Sequence, residues 1–583
     1  MKLTKSMLLL LVLILSLGTA LVACSNETSE TSDEQEGTGE KVDGGSVTFS
    51  MFSAPNGVFN PVLYEDAYEA NVFEFIFEGL VKLDKNLGFE PNLARDWYYE
   101  DDHQTLVMVL REDVQWHDGE PFTAEDVKYT YDVMAHPDYT GVRSYFVEGM
   151  VGYEAFNSGE VDEFEGVEIV DDHHIKFHFN EPNVMALRDA SFDIIPKHIY
   201  GQYDVADLAT APETLDFDKL IGTGPFKATS DYTAGQYYTL ERHEQYWQGA
   251  PNLDSVVWTV VNQDVAAGML DSGDIDVITT PQGVRASDYD QVAGIDGVTV
   301  HETPDLGYQH LGFKLHHRTE EDVENNVHDP DNWIPNEKLQ SLELRQAIMY
   351  AIDRQGIVEG LLDGHGEVIN APFPPASWAY DDTVVNEYPH DQERAQELLA
   401  SAGYEDVTGD GYLEDPNGEE LVLRLDYPTG DRVREMSAPI IQEHLEAVGL
   451  NIDLRSPREA GSHFEAIRTD EEGMDLYLSG WGLATTDPDP KGIWDITASY
   501  NYTRWNDEHS QQLLDDAVTA PEAFDEEYRK EKYREWAAYV NEQVPMAFLY
   551  TSNAIFAYNS NIEGVVEGPD HIYRDIHKWY LVE

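Results

Sequence analysis

Pro91–Tyr129 reads PNLARDWYYEDDHQTLVMVLREDVQWHDGEPFTAEDVKY, and its reading decides the fold. Thr105-Leu106-Val107-Met108-Val109-Leu110 is an apolar, β-rich run. Val114-Gln115-Trp116 follows Arg111 after two acids and predicts a second short strand. His117-Asp118-Gly119 supplies turn chemistry. Thr123 is placed to cap a helix opening Ala124-Glu125-Asp126-Val127, where early acids suit the helix dipole. Strand, turn and capped helix form a scaffold without a catalytic set.

Outward from this stretch, the chain runs to 583 residues, more than one ordinary core accommodates, so two or three domains are expected. Hydrophobic residues make up 42%, which supports packed domains rather than disorder. A single cysteine rules out an intramolecular disulfide framework. With 36 basic and 112 acidic residues the net charge is −76, and a nucleic-acid partner is excluded by repulsion of phosphate. Two readings of this charge stay open: a solvated acidic shell suited to a salty or alkaline habitat, and a field that attracts cationic ligands.

Residues 1–23 read as a targeting segment. Lys2 and Lys5 precede an apolar run from Met7 to Leu17, too short for a comfortable membrane span. Leu21-Val22-Ala23-Cys24 looks like a lipobox, with Cys24 the lipidated first residue of the mature chain; a plain signal peptide with an incidental cysteine is the alternative. Residues 24–45 are polar and Gly-rich, which predicts a flexible tether with a reach of roughly 25 Å.

As a whole, Pro91–Tyr129 closely resembles the defining segment of the family-5 solute-binding proteins of ABC importers, the oligopeptide- and dipeptide-binding group. That segment runs P-x-L-A-x-x-W, then F-x-L-R-x-x-V-x-W-H-D-G-x-P-F-T-A-x-D-V. Pro91, Leu93, Ala94, Trp97, Leu110, Arg111, Val114, Trp116 to Gly119, Pro121, Thr123, Ala124, Asp126 and Val127 fit it, and Met108 stands where Phe is usual. Further pieces resemble the same family: Phe77-Glu78-Gly79-Leu80, Gly222-Thr223-Gly224-Pro225-Phe226, Tyr246-Trp247 and Leu344-Arg345-Gln346-Ala347-Ile348. A phosphate-loop reading of Gly222–Phe226 fails, because Pro225 removes an N–H and no Gly-Lys-Ser/Thr follows.

The resemblance implies an α/β chain with a two-lobe, type II-like periplasmic-binding-protein fold, an extra third domain on the first lobe, and a hinge between lobes. The first lobe would comprise 46–90, 222–305 and 551–583, the extra domain 91–221, and the second lobe 306–550. It further implies a monomeric receptor that is not an enzyme, needs no cofactor or metal, and is lipid-anchored on the extracytoplasmic face of the cell membrane. The receptor would clamp an extended oligopeptide and deliver it to ABC permease subunits.

Peptide-pairing positions fall, by the resemblance, at Glu65, Asp66 and Ala67 and at Gly480, Trp481 and Gly482. A core role for Trp481 is the alternative. Thr485, Thr486 and Asp487 follow, in the run W-G-L-A-T-T-D-P-D-P that resembles the Gram-positive oligopeptide branch. Where many members carry an Asp to hold the peptide α-ammonium, this chain has Ala484, so weaker dependence on a free amine is expected. Trp378, Asn501-Tyr502 and Arg504–Asn506 are further wall candidates, and Arg468 is a candidate partner for a ligand carboxylate.

The fold also carries oligosaccharides, haem and metal chelates, so ligand class stays open. Stacked platforms from Trp378, Trp481 and Trp505 would favour a sugar, whereas exposed strand edges across the cleft would favour a peptide. A secreted hydrolase is the rival from another class, and the chain shows no G-x-S-x-G or H-E-x-x-H. Asp406–Gly411 resembles the front of a calcium loop, but Asn417 stands at the position needing a bidentate Glu, so a surface turn is expected. The pairs His173-His174 and His316-His317 lack zinc spacing.

Secondary-structure expectations complete the reading: helices at Ala67 to Phe77, Leu342 to Leu362, Gln392 to Ala402 and Tyr528 to Gln543; strands at Val47 to Phe52 and Pro545 to Tyr550; and a hairpin of Val167–Val170 with His174–Phe179.

Overall fold

The computed structural model describes residues 39–65, 67–100, 103–325, 327–519 and 521–583. Cys24, the targeting segment, most of the tether and Asp66 lie outside the described residues. Among the described residues no helix is long and apolar enough to cross a membrane.

One twelve-stranded sheet runs through most of the molecule. At its centre Met546–Asn559, fourteen residues long, pairs with four other strands, two of them consecutive in the chain. Its first part pairs antiparallel with Gly307–Phe313, from Gly312↔Met546 to Gln309↔Tyr550. Its last part pairs with Val298–Pro304, from Pro304↔Asn553 to Val298↔Asn559. Only Asp305 and Leu306 separate the two partner strands, so both chain crossings between the halves run side by side. There the Asp305 N–H donates to Ser552 O at 2.9 Å. The Thr551 hydroxyl donates to Gly307 O at 2.8 Å. On one side lie the parallel strands Val422–Asp426 and Asn451–Leu454; on the other, Ser46–Met51 pairs parallel with Ser255–Val260.

Three large buried apolar clusters match this layout. One is built from residues 308–550, one from 62–208, and one from residues of 47–77, 217–277 and 556–579. The second surrounds an antiparallel sheet ordered Ala94–Tyr99, Thr105–Leu110, His174–His178, Val167–Asp171.

The diagnostic stretch is a joint. Asp126 accepts from the Thr123 N–H at 3.0 Å, closing the first turn of the helix Ala124–Ala135. Its other oxygen accepts from the Lys197 N–H at 2.9 Å. His117 bonds Gly224 O through Nε2 at 3.0 Å and accepts the Gly222 N–H at Nδ1 at 3.2 Å. Burial pushes this imidazole down to about 3, so it stays neutral and can serve both bonds. Glu78, 8% exposed, accepts from Thr223 Oγ1 (2.8 Å), Tyr246 OH (2.9 Å) and Trp247 Nε1 (3.1 Å). The family-like pieces thus meet in one hydrogen-bonded seam.

Three expectations change. Val114–Trp116 is no ladder strand: only an isolated bridge, Gln115↔Pro121, forms, because Val114 and Trp116 turn into the core around a tight loop. The helix expected over Leu342–Leu362 is two helices, Leu342–Ala351 and Arg354–Leu361. Asp353 breaks it by accepting the Gly356 N–H at 2.8 Å and capping the second helix. The helix expected to Phe77 ends at Phe73, although the Glu74 N–H still bonds Ala70 O at 3.2 Å.

Candidate ligand cleft

The strand Leu476–Gly482 is paired along one edge with Gly307–Phe313 over its whole length. Its other edge meets Val422–Asp426 only at Leu476 and Tyr477. Beyond these, His463 Nε2 caps Leu478 O at 2.9 Å. In an antiparallel strand the N–H and C=O of one residue point the same way and successive residues alternate. Since the Leu478 carbonyl faces the outer edge, Gly480 and Gly482 direct their backbone groups there too. Among the described residues no strand occupies that edge, which leaves it a template for an added strand.

A Cβ at Gly480 would meet only the ends of the Gln309 and Arg434 side chains, at 2.6 and 2.8 Å, and Arg434 Nε is bonded to Gln309 Oε1 at 2.7 Å. Trp481 is half-buried and stacks on Tyr502 at 5.3 Å and 28°, with Tyr500 edge-on at 5.7 Å.

Past Gly482 the chain reaches a cavity of about 500 Å³. Thr485 and Thr486 line it from one side, and Ala67, Ala70, Asn71 and Glu74 from the facing helix. Two expected positions, Ala67 and Thr485–Thr486, are therefore brought together. Ala67 opens the helix expected there, Ala67–Phe73, whose Tyr68, Val72 and Phe73 are drawn into the core. Glu65 is exposed just before it. At the far rim Phe524 meets Tyr99 (4.8 Å) and His103 (4.5 Å), so the 91–221 segment also touches the 306–550 segment.

Other expected residues stand apart from this space. Asp487 is held by Arg529 through two bonds of 2.7 Å, with both side chains largely buried. That guanidinium lies 5.3 Å above the Trp378 ring. Arg468 pairs with Glu465 three residues earlier, at 3.1 Å from Nε. Trp505 is 7% exposed and packs against Trp494 and Tyr539. Trp378, Trp481 and Trp505 form no common platform, and no tryptophan lines the cavity. Asn501 and Arg504 are buried in the satellite cluster around Asp470. Asp406–Gly411 is a turn closed by the Asp406 carboxylate on the Gly409 and Gly411 N–H groups.

Sequence reasoning missed the cavity's own charges. Glu74, exposed, and Asp193, half-buried, line it, and partial desolvation in the cavity raises both carboxyls. Mutual repulsion adds to the shift at Glu74, and the neighbouring Glu78 adds to that at Asp193. Ala67, Ala70 and Glu74 recur at helical spacing, a small-and-polar stripe that was readable. Nothing in the sequence joins Asp193 to them.

A hinged pair of half-sheets, a cavity between them and an unpaired strand edge at its mouth define a two-lobed binding protein. Residues 88–502 match the family model for "Bacterial extracellular solute-binding proteins, family 5 Middle", and the chain belongs to that family. It is 29% identical over 590 residues to the oligopeptide-binding protein AppA of Bacillus subtilis strain 168, covering 100% of both chains. It is 26% identical over 570 residues to heme-binding protein A of Haemophilus influenzae, covering 94% of this chain and 95% of that one. The solved structure of Bacillus subtilis AppA in complex with a nonapeptide superposes with a TM-score of 0.67 at 27% identity, over 93% of this chain and 100% of that chain.

Proposed function

We propose that this protein is the extracytoplasmic receptor of an ABC importer, capturing extended oligopeptides between two lobes and delivering them to the membrane permease. The observation that carries this reading is the unoccupied edge at Gly480 and Gly482, beside a cavity walled from both sides. Backbone pairing along such an edge gives affinity without demanding one sequence, while side chains enter roomy pockets. The likeness to an oligopeptide-binding protein along the full chain supports it.

We assign the lobes the boundaries expected from the sequence: 46–90, 222–305 and 551–583 to the first, 91–221 to the extra domain, 306–550 to the second. Closure turns on the paired crossings at Asp305–Leu306 and Thr551–Asn553. Ligand contacts are assigned to Gly480, Gly482, Thr485, Thr486 and the Glu65–Ala67 segment, with Trp481 as a wall. Asp487 and Trp378 act behind this surface, through Arg529. Cys24 carries the lipid, residues 24–45 tether the body, and the receptor works as a monomer without chemistry of its own.

Native mass spectrometry of the mature body as purified, then denaturation and identification of what is released, tests the ligand class. A mixed set of peptides is expected. A single oligosaccharide or chelate would overturn the peptide assignment and leave the fold untouched.

A further inference from the structure

A strand added at the outer edge of Leu476–Gly482 turns successive side chains to opposite faces of the sheet. The ligand residue opposite Gly480 turns to the face on which a Gly480 side chain would stand, and its neighbours turn to the face that Trp481 uses. The two faces are furnished differently.

On the Gly480 face lies Arg434, in the first turn of the helix Arg432–Ala447. Its guanidinium reaches over the strand. Nη2 stands 2.8 Å from the place a Gly480 Cβ would take, while Nε donates to Gln309 Oε1 at 2.7 Å. Asp431 approaches Nε, at 3.5 Å, and the side chain is 17% exposed. Among the described residues neither Nη has an acceptor. In a chain with 36 basic and 112 acidic residues this is notable. Arg424, Arg458, Arg529 and Arg574 all spend Nη atoms on carboxylates. Arg434 keeps its fork free beside the edge where a ligand backbone would lie. The role expected of Arg468 falls here, since Glu465 takes that guanidinium.

The other face carries three rings. Trp481 stacks on Tyr502, and Tyr500 stands edge-on to both, at 5.7 Å and 6.0 Å. Tyr500 is 53% exposed, so the rings form an open corner rather than a closed core.

We propose that the free edge reads two adjacent ligand residues: Arg434 takes a carboxylate at the residue opposite Gly480, and the Trp481–Tyr500–Tyr502 corner takes an aromatic or large apolar side chain at the residue beside it. Opposed Cβ positions on paired strands lie about 5 Å apart, which brings an acidic side chain opposite Gly480 within reach of the guanidinium. The planar fork matches a carboxylate, and rings already held in place bury apolar surface at little ordering cost. The carboxylate has two sources in a peptide, an acidic side chain and the C-terminus. The assignment rests on the edge being the ligand's strand.

The test uses alanine-based nonapeptides carrying one glutamate and one phenylalanine, either adjacent in both orders or two positions apart, titrated calorimetrically with free and amidated C-termini. Such peptides slide to their best register, and only an adjacent pair satisfies both faces at once. One adjacent order is expected to bind roughly tenfold tighter than the two-apart peptide. Glutamine for glutamate is expected to cost about as much in wild type and nothing in Arg434→Gln, checked for folding by circular dichroism. Tyr500→Ala is expected to weaken the preference for phenylalanine over alanine and to keep that for glutamate over glutamine. A loss on amidation alone, again abolished in Arg434→Gln, identifies the C-terminus as the carboxylate. Affinities within about twofold for glutamate against glutamine and for free against amidated peptides would overturn the role of Arg434 and leave the peptide receptor standing. Equal binding of adjacent and two-apart peptides would overturn the two-face arrangement. Failure of every nonapeptide to bind wild-type protein would instead remove the peptide reading, and this assignment with it.

Discussion

Glu78 and Glu74 lie four residues apart in the chain and both line the same cavity, yet they live differently. Glu78 receives Thr223, Tyr246 and Trp247, whereas Glu74 receives no side chain among the described residues. Burial raises the Glu78 carboxyl. There the cost of burying a charge is offset by fixed donors, and the result is a rigid seam. Glu74 is exposed, and water can serve its carboxylate. Saturated polar clusters hold this fold together.

The strongest way to break the comparison is at the most saturated cluster. Asp470 lies with Lys314, Arg318 and Arg504, all with side chains at most 1% exposed. Asp470→Ala leaves three cations buried without their acid. A loss of about 3–5 kcal/mol is expected in chemical denaturation. A loss below about 1 kcal/mol would show that matching matters less than supposed.

Next comes the seam. Glu78→Ala strands three donors and is expected to cost about 2–3 kcal/mol by the same measurement. Because these donors join 222–247 to the loop after the first helix, the far-ultraviolet spectrum should hold while the denaturation midpoint drops.

The smallest effect concerns acid and heat. The folded value for Asp193, about 7, lies above the ordinary 3.8 of the unfolded chain. Its contribution is fully present below the unfolded value and is lost as pH rises through the folded one. The ligand-free melting temperature should therefore fall between pH 5 and 8.5, and Asp193→Asn should flatten that fall. Asp470 behaves oppositely: its cations hold its carboxyl far below 3.8, so its contribution is present above that value and is lost on acidification. A ligand-free melting curve of Asp193→Asn as steep as that of wild type would show Asp193 to be solvated rather than strained.

How much of this was legible follows from what each motif does. Trp116–Gly119, Asp126, Glu78 and Gly222–Pro225 were readable as a set because they bond one another in the seam, and that seam fixes the fold. The hairpin of Val167–Asp171 with His174–His178 and the helix Glu526–Gln543 were readable from period alone. The break at Asp353 was missed because an apolar stripe ran across it, while its side chain was better placed as a cap. The helix start at Ala67 was legible, because Tyr68, Val72 and Phe73 bury together at helical spacing. Gly480 and Gly482 were legible as a strand end, but not which edge was free; that depends on where Val422–Asp426 stops. Asp193 carries no local signal, since tertiary folding alone brings it near Glu74.

The central claim is that the free edge of Leu476–Gly482 receives an extended ligand backbone. Amide hydrogen exchange, read residue by residue with and without the peptides released from the purified protein, tests it most directly. Ser479 and Trp481, which face Gly307–Phe313, should be protected in both states. Gly480 and Gly482 should exchange freely when empty and become protected when loaded. Unchanged exchange at both glycines, with peptide demonstrably bound, would contradict the account.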